Sequence, residues 1–143
     1  ENRRVVTWGC GLHGQLGHCN FTNASEPRPV KPLEQYKEFN QEVNDVVKIK
    51  PIDIQCGKEH TVVLMEGYCD KEEGVNARNS NKMIFAFGNN RYHQVSKKKK
   101  PKQNSPYWIE SILPQNVSID YVAAGNFQSA AFGYSDQTQY QYV

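Results

Sequence analysis

The sequence predicts an all-β protein built from blades of a β-propeller, and three observations support that prediction. Short runs rich in β-branched and aromatic residues recur at Val5–Trp8, His60–Leu64 and Met83–Phe87. No window has the 3.6-residue periodicity of an amphipathic helix, since the best candidate, Leu33–Val47, carries polar residues where a helix would bury apolar ones. The chain also repeats itself, and short strands joined by recurring glycine turns are typical of propellers.

The repeat consists of two blocks in each of two units. The first block reads VVTWGCGLHGQLG and then IFAFGNNRYHQVS, which sets Gly9 and Gly88 in register at a distance of 79 positions. The second block reads IDIQCGKEHTVVL and then DYVAAGNFQSAAF, which sets Gly57 and Gly125 in register at 68 positions. The two offsets differ by 11 residues, so the first unit contains an insertion between its blocks.

This register predicts the organisation of the chain. We expect a first repeat over 1–66 with an insertion near 34–50, an inserted loop over 67–82, a second repeat over 83–133 with a lysine-rich loop at 97–102, and a tail over 134–143. The stretch from 34 to 50 is polar and lacks clear strand alternation, and insertions in repeats usually form loops, often on a binding face. Propellers have roughly 4 to 8 blades, so we expect a fragment of a longer repeat protein whose missing blades cover the outer faces.

Composition excludes several classes of protein. The 17 basic and 15 acidic residues give a net charge of +2, so no global field marks a nucleic-acid binder. No apolar run reaches the roughly 18 residues that cross a bilayer, so we expect no membrane partner. The four cysteines form no C-x-x-C pair, which favours reduced thiols in the cytoplasm or nucleus. His13, His18 and Cys19 lie close in sequence but lack metal-ligand spacing, so no metal site is expected.

A G-x-G-x-x-G motif at 9–14 raises the question of a dinucleotide site. That site needs a helix whose N-terminus receives the pyrophosphate, and the following segment contains Pro27, Pro29 and Pro32 instead of an amphipathic face. The second unit keeps only one of the three glycines. We therefore expect no cofactor, and we interpret the recurring glycines as structural turns: Gly9, Gly11, Gly14, Gly17, Gly57, Gly88 and Gly125.

The two blocks resemble the repeat of the regulator of chromosome condensation family. That repeat has an aromatic-Gly pair, a turn ending Gly-Gln-Leu-Gly and a later Gly-x-x-His-Ser/Thr, which WGCGLHGQLG and CGKEHT match in the first unit. The second unit departs from the pattern, with His93 and Ser96 in place of glycines, Val95 in place of Leu and Gln128 in place of His. The resemblance implies a ring of about seven blades.

Three rim stretches are candidates for function. The resemblance implies that the turn Lys58, Glu59 and His60, with Gln128 in the second unit, faces a partner; alternatively, His60 braces the blade. The run Lys97, Lys98, Lys99, Lys100 and Lys102 is a candidate nuclear-import signal or phosphate-binding patch, or else a solvated loop. The insertion at 66–82 is a candidate docking loop.

The expected function is protein binding without catalysis. Cys56 and His60 are four positions apart, but Ala124 and Gln128 replace them in the second unit, so a nucleophile and base are not indicated. We predict a module that scaffolds a protein partner through rim loops. The resemblance implies an alternative, nucleotide exchange on a Ran-like small GTPase, and the lysine run keeps chromatin or nucleic-acid binding as a third possibility.

Overall fold

A computed structural model describes residues 3–40, 45–68, 82–110 and 117–135. Its nine strands and one helix follow in the order β1 Val6–Gly9, β2 Ala24–Pro29, α1 Lys31–Glu34, β3 Lys37–Asn40, β4 Asp45–Cys56, β5 His60–Tyr68, β6 Lys82–Asn89, β7 Lys102–Trp108, β8 Val117–Ala124 and β9 Ser129–Ser135. The described chain is therefore almost entirely β, as the sequence predicts.

The strands form three antiparallel sheets. A central sheet has the order β3-β4-β5-β6-β7, and the two-stranded sheets β1-β2 and β8-β9 lie on either side of it. The two repeats predicted from the sequence thus do not correspond to one sheet each. Each sequence unit begins in one sheet and ends in the next. In the first unit the first block forms β1 and the second block forms β5, and in the second unit the corresponding strands are β6 and β9. The architecture is an incomplete β-propeller.

The central strand β5 is buried on both of its faces. Val63 packs into a cluster with Phe85 and Phe87 on the side of β1-β2. Val62 and Leu64 pack into a second cluster with residues of β8. This two-sided burial explains why residues 62–65, VVLM, are apolar at every position instead of at alternate positions. Each fully buried side chain of this size contributes about 2 kcal/mol.

The described parts of the region near 34–50 are mostly strand and not loop. Lys37–Asn40 form β3, which pairs with Asp45–Lys48 of β4. The pairing of β4 with β5 then shifts register between Pro51 and Asp53, so β4 joins an added hairpin to a strand of the blade. The expectation of a loop was wrong because Val47 and Ile49 are partly buried against neighbouring strands despite the polar residues around them.

Short extensions also differ from the predicted boundaries. One helical turn, α1, follows β2; Pro32 lies in its first turn, where proline is tolerated, and Leu33 is buried in the first cluster. The predicted loop over 67–82 begins and ends within strands, because Gly67 and Tyr68 belong to β5 and Lys82 belongs to β6. The remaining residues, 69–81, lie outside the described residues. Similarly, the predicted tail begins within β9, and 136–143 lie outside the described residues.

Four turns between paired strands, those that follow β1, β4, β6 and β8, lie at one end of the molecule. We call this end the turn rim and define it as residues 10–23, 57–59, 90–101 and 125–128. It joins the carboxyl ends of β1, β4, β6 and β8 to the strands that follow them. The rim therefore brings together the turns that the sequence register aligns.

The repeat is visible as equivalent hydrogen bonds in the two units. Thr61 Oγ1 donates to the Gln15 carbonyl at 2.8 Å, and Ser129 Oγ donates to the Gln94 carbonyl at 2.7 Å. Each bond ties a turn of one sheet to the first residues of a strand in the next sheet. The same two glutamines accept a backbone N–H through Oε1, from His13 and from Tyr92, at 2.9 Å in both units.

We predict that Thr61→Val lowers the free energy of unfolding by about 1–3 kcal/mol, because it leaves the carbonyl of Gln15 without its donor at a buried contact. Chemical denaturation measures this change. The matched control is Thr22→Val, whose hydroxyl donates to Asn20 Oδ1 at an exposed site. Equal losses in the two variants would contradict the role of the bond between sheets.

We also predict that Gly14→Ala destabilises the protein by about 2 kcal/mol or more. Gly14 has φ +84°, and an added Cβ would lie 2.6 Å from the Gln103 carbonyl oxygen, where backbone has to move. His93 occupies the equivalent position with φ 60° and already carries a Cβ. His93→Ala is therefore the control and should change stability far less in the same denaturation experiment.

Candidate functional site: the turn rim

The turn that contains Gly57 gives the neighbouring residues Glu59 and His60 different environments. In the 57–60 turn, the Gly57 N–H donates to the His60 carbonyl at 2.8 Å, and in the equivalent turn the Gly125 N–H donates to the Gln128 carbonyl at 2.9 Å. At Gly57, a Cβ would collide with the His60 ring, so the close turn requires glycine. The turn thereby buries His60 and leaves Glu59 partly exposed.

His60 braces two sheets instead of facing solvent. Its side chain is 1% exposed, and its Nε2 lies 3.0 Å from Ser129 Oγ at the start of β9. Burial lowers the pKa of His60, and a hydrogen bond with the backbone of Gln128 opposes that shift. The geometry favours the bracing interpretation of His60 over direct contact with a partner. Its Nε2 lies beside Ser129, whereas Cys56 is exposed.

Glu59 is held in its ionised form by its neighbours. Asn89 Nδ2 donates to Glu59 Oε2 at 2.6 Å, and His13 Nε2 lies 3.8 Å from the same oxygen. The hydrogen bond from Asn89 lowers the pKa of Glu59, and His13, Lys58 and Arg91 add to the effect. Glu59 is thus a fixed anion within a mostly cationic rim.

The lysine run lies on a loop with an ordered backbone. Asn90 is buried, and its Nδ2 donates to the carbonyls of Lys98 and Lys100 at 2.9 Å each. Its Oδ1 accepts the N–H groups of Val95 and Ser96, and its own N–H donates to the Pro101 carbonyl at 2.7 Å. One asparagine therefore closes the loop that carries four exposed lysines, Lys97, Lys98, Lys99 and Lys100.

Lys102 does not belong to that loop, although the sequence grouped it there. It is the first residue of β7, its Nζ donates to the Leu12 carbonyl at 3.0 Å, and it lies 5.7 Å from the centre of the Phe21 ring. Pairing of β6 with β7 at Asn89 fixes this position. Lys102 therefore joins the first unit's turn to the central sheet.

The rim also displays large apolar side chains, which the sequence analysis did not single out. Tyr92 and Phe127 are 65% and 45% exposed and form an edge-to-face pair with ring centres 5.2 Å apart. Lys58 Nζ lies 5.6 Å from the centre of the Phe127 ring. The register itself could have revealed this pair, because it aligns Tyr92 with His13 and Phe127 with Glu59.

The residues considered for a metal have other partners. His13 faces Glu59, whereas His18 Nε2 lies 2.9 Å from Thr7 Oγ1 and 3.3 Å from the Arg28 carbonyl. Within the described ranges, no three His, Cys, Asp or Glu side chains gather as a set of metal ligands. Nor does any helix in those ranges have the length and apolar character needed to cross a membrane.

We predict a pH-dependent loss of stability that arises from His60. Because its pKa is lowered in the folded state, the unfolded chain, with an ordinary value of about 6.5, takes up this proton more readily. Neutral His60 therefore contributes to the free energy of unfolding above about pH 6.5, and this contribution is lost as the pH falls below that value.

His60→Gln, which introduces the residue of the second unit, should remove this loss. Denaturation from about pH 8 to about pH 5 measures it, with His93→Gln as the control for an exposed histidine. The idea fails if the His60→Gln variant loses as much stability on acidification as the unaltered protein.

Comparison with known proteins agrees with this architecture. Residues 4–64 match the family model "Regulator of chromosome condensation (RCC1) repeat". A human protein described as "Probable E3 ubiquitin-protein ligase HERC6" is 29% identical over 130 residues, which are 90% of this chain and 10% of that protein. The chain thus spans about a tenth of the length of this relative. The matched region runs from the start of β1 through the middle of β5, across the hydrogen bond from Thr61 to Gln15, so over residues 4–64 the chain is similar to the regulator of chromosome condensation repeat.

Proposed function

We propose that this chain is a protein-interaction module that binds a partner through the turn rim and performs no catalysis itself. The observation that carries this proposal is the closed lysine loop. Asn90 fixes the loop backbone through five side-chain hydrogen bonds, to Ser96 Oγ, two carbonyls and two N–H groups. A surface that is ordered before binding loses less conformational entropy when a partner arrives.

The surfaces beside the rim support a larger assembly. Trp8 on β1 is 59% exposed, and Phe132 on β9 is 54% exposed and stacks on Tyr121 at 4.9 Å. Aromatic side chains on sheet faces are normally covered by the next sheet of a propeller. We propose that further repeats cover these two faces, so that the turn rim continues beyond the described residues.

The similarity to a ubiquitin ligase does not carry ligase chemistry to this chain, because the match covers a tenth of that protein. It supports a role in which repeats recognise a partner while other parts of a longer polypeptide act on it. Exchange on a Ran-like GTPase and binding of nucleic acid stay predictions. The described rim offers no arrangement that favours either over protein binding.

The test is quantitative affinity capture with the full polypeptide that contains this chain. A variant with Ser at Lys97–Lys100 removes the cations of the closed loop, whereas Lys31→Ser with Lys37→Ser removes exposed cations at the opposite end. We expect at least one captured protein to be lost with the loop variant and kept with the control. Calorimetry with that purified protein should then show weakening of about tenfold or more.

If no captured protein depends on the loop, the proposed function is wrong. Accelerated release of labelled GDP from a Ran-like GTPase would instead support the exchange alternative, because simple binding does not release nucleotide. Loss of binding to single-stranded DNA between about 50 and 200 mM salt, by a factor of 10³ or more, would indicate a phosphate-driven binder.

A further inference from the structure

The two junctions between sheets differ at one equivalent pair of residues. In the first junction His13 faces Glu59, with side chains 24% and 29% exposed. In the second junction the register puts Tyr92 and Phe127 at the same two positions, where they contact each other edge to face. A polar contact is thereby replaced by an aromatic one that is largely open to solvent.

The backbone under this pair is fixed as firmly as in the first junction. The Tyr92 N–H donates to Gln94 Oε1, and the Ser129 hydroxyl holds the carbonyl of Gln94. Phe127 lies in the turn closed by the bond from Gly125 to Gln128. The two rings are consequently presented on a rigid platform, which favours a binding role because little order has to be gained.

The charge around the rings is positive. Lys58 lies over Phe127, Arg91 directly precedes Tyr92, and the closed lysine loop follows in the same turn. Glu59 is the neighbouring carboxylate on this part of the described rim, and Asn89 and His13 already engage it. A ligand that suits this surface has an apolar group for the rings and negative charge on both sides of it.

We propose that Tyr92 and Phe127, with Lys58 and Arg91, form a subsite for a peptide segment of the partner in which an apolar or aromatic side chain is flanked by carboxylates. This inference rests on the proposed function and specifies its partner. The apolar side chain packs on the two rings, and the carboxylates pair with Lys58 and Arg91. The closed lysine loop attracts the rest of the acidic segment.

The geometry favours a peptide over a nucleic acid. Single-stranded nucleic acids bind through successive parallel stacking surfaces, whereas these two rings are inclined by 62° and touch edge to face. Glu59, which accepts a hydrogen bond from Asn89, is the carboxylate on this part of the described rim. The backbone N–H groups of a peptide can donate hydrogen bonds to this carboxylate.

The experiment selects ligands from a random peptide library on the full polypeptide that contains this chain. A double variant, Tyr92→His with Phe127→Glu, installs the pair of the first junction and so keeps a contact that the fold already tolerates. Circular dichroism and thermal denaturation check that it folds. We expect the unaltered protein to enrich peptides with Asp or Glu around an apolar residue, and the double variant to lose that enrichment.

Fluorescence anisotropy with one enriched peptide then measures each contribution. The double variant, and separately Lys58→Gln with Arg91→Leu, should each weaken binding by about tenfold or more. Replacing the carboxylates of the peptide by amides should do the same. Lys31→Ser with Lys37→Ser serves as the unaffected control.

Three outcomes would overturn the proposal: enrichment of peptides without acidic residues, no enrichment at all, or affinity that is unchanged in the double variant. Equal binding of a single-stranded oligonucleotide of matched charge would assign the subsite to nucleic acid instead. The capture experiment with the lysine-loop variants is independent of the aromatic pair. It can therefore succeed while this subsite fails, which separates the two proposals.

Discussion

The architecture depends on one contact that recurs at both junctions, a hydroxyl at the start of a strand donating to the carbonyl of a turn glutamine in the preceding sheet. Thr61 with Gln15 and Ser129 with Gln94 make this bond at nearly the same distance. The amide of each glutamine also closes its own turn, so one residue both shapes the turn and accepts the next sheet. This double use explains why the glutamine persists in the second unit while the glycines around it do not.

The departures of the second unit change its surface and keep its backbone path. His93 adopts the left-handed φ that Gly14 has in the first unit, at an exposed position where a side chain costs little. Asn90 replaces Gly11, and its side chain closes the lysine loop from within. Because the turn is stabilised by side-chain hydrogen bonds instead of glycine flexibility, it can carry a more charged loop.

The sequence predicted the strand runs of β1, β5 and β6 and the register of the two units, because these depend on local chemistry and on comparison of the units. Gly9 and Gly88, which it interpreted as turn residues, lie within β1 and β6 instead. It did not predict that each unit spans two sheets, since the same strand pattern fits either division. It also placed a loop where β3 and β4 form a hairpin, because Ile49 gains its burial from the first core cluster, whose residues come from strands distant in sequence. The pairing of Tyr92 with Phe127 depends on the approach of two turns, which a single block of sequence does not reveal.

Comparison of the two junctions distinguishes residues that hold the sheets together from residues that are available for binding. Both units keep the glutamine that serves the contact between sheets, Gln15 in the first and Gln94 in the second. Where a residue points away from that contact, the units diverge: His13 and Glu59 form a polar contact, whereas Tyr92 and Phe127 leave about half or more of their surface exposed to water. Exposed aromatic area of this kind contributes nothing to packing, so its presence on a rigid turn is best explained by what binds there.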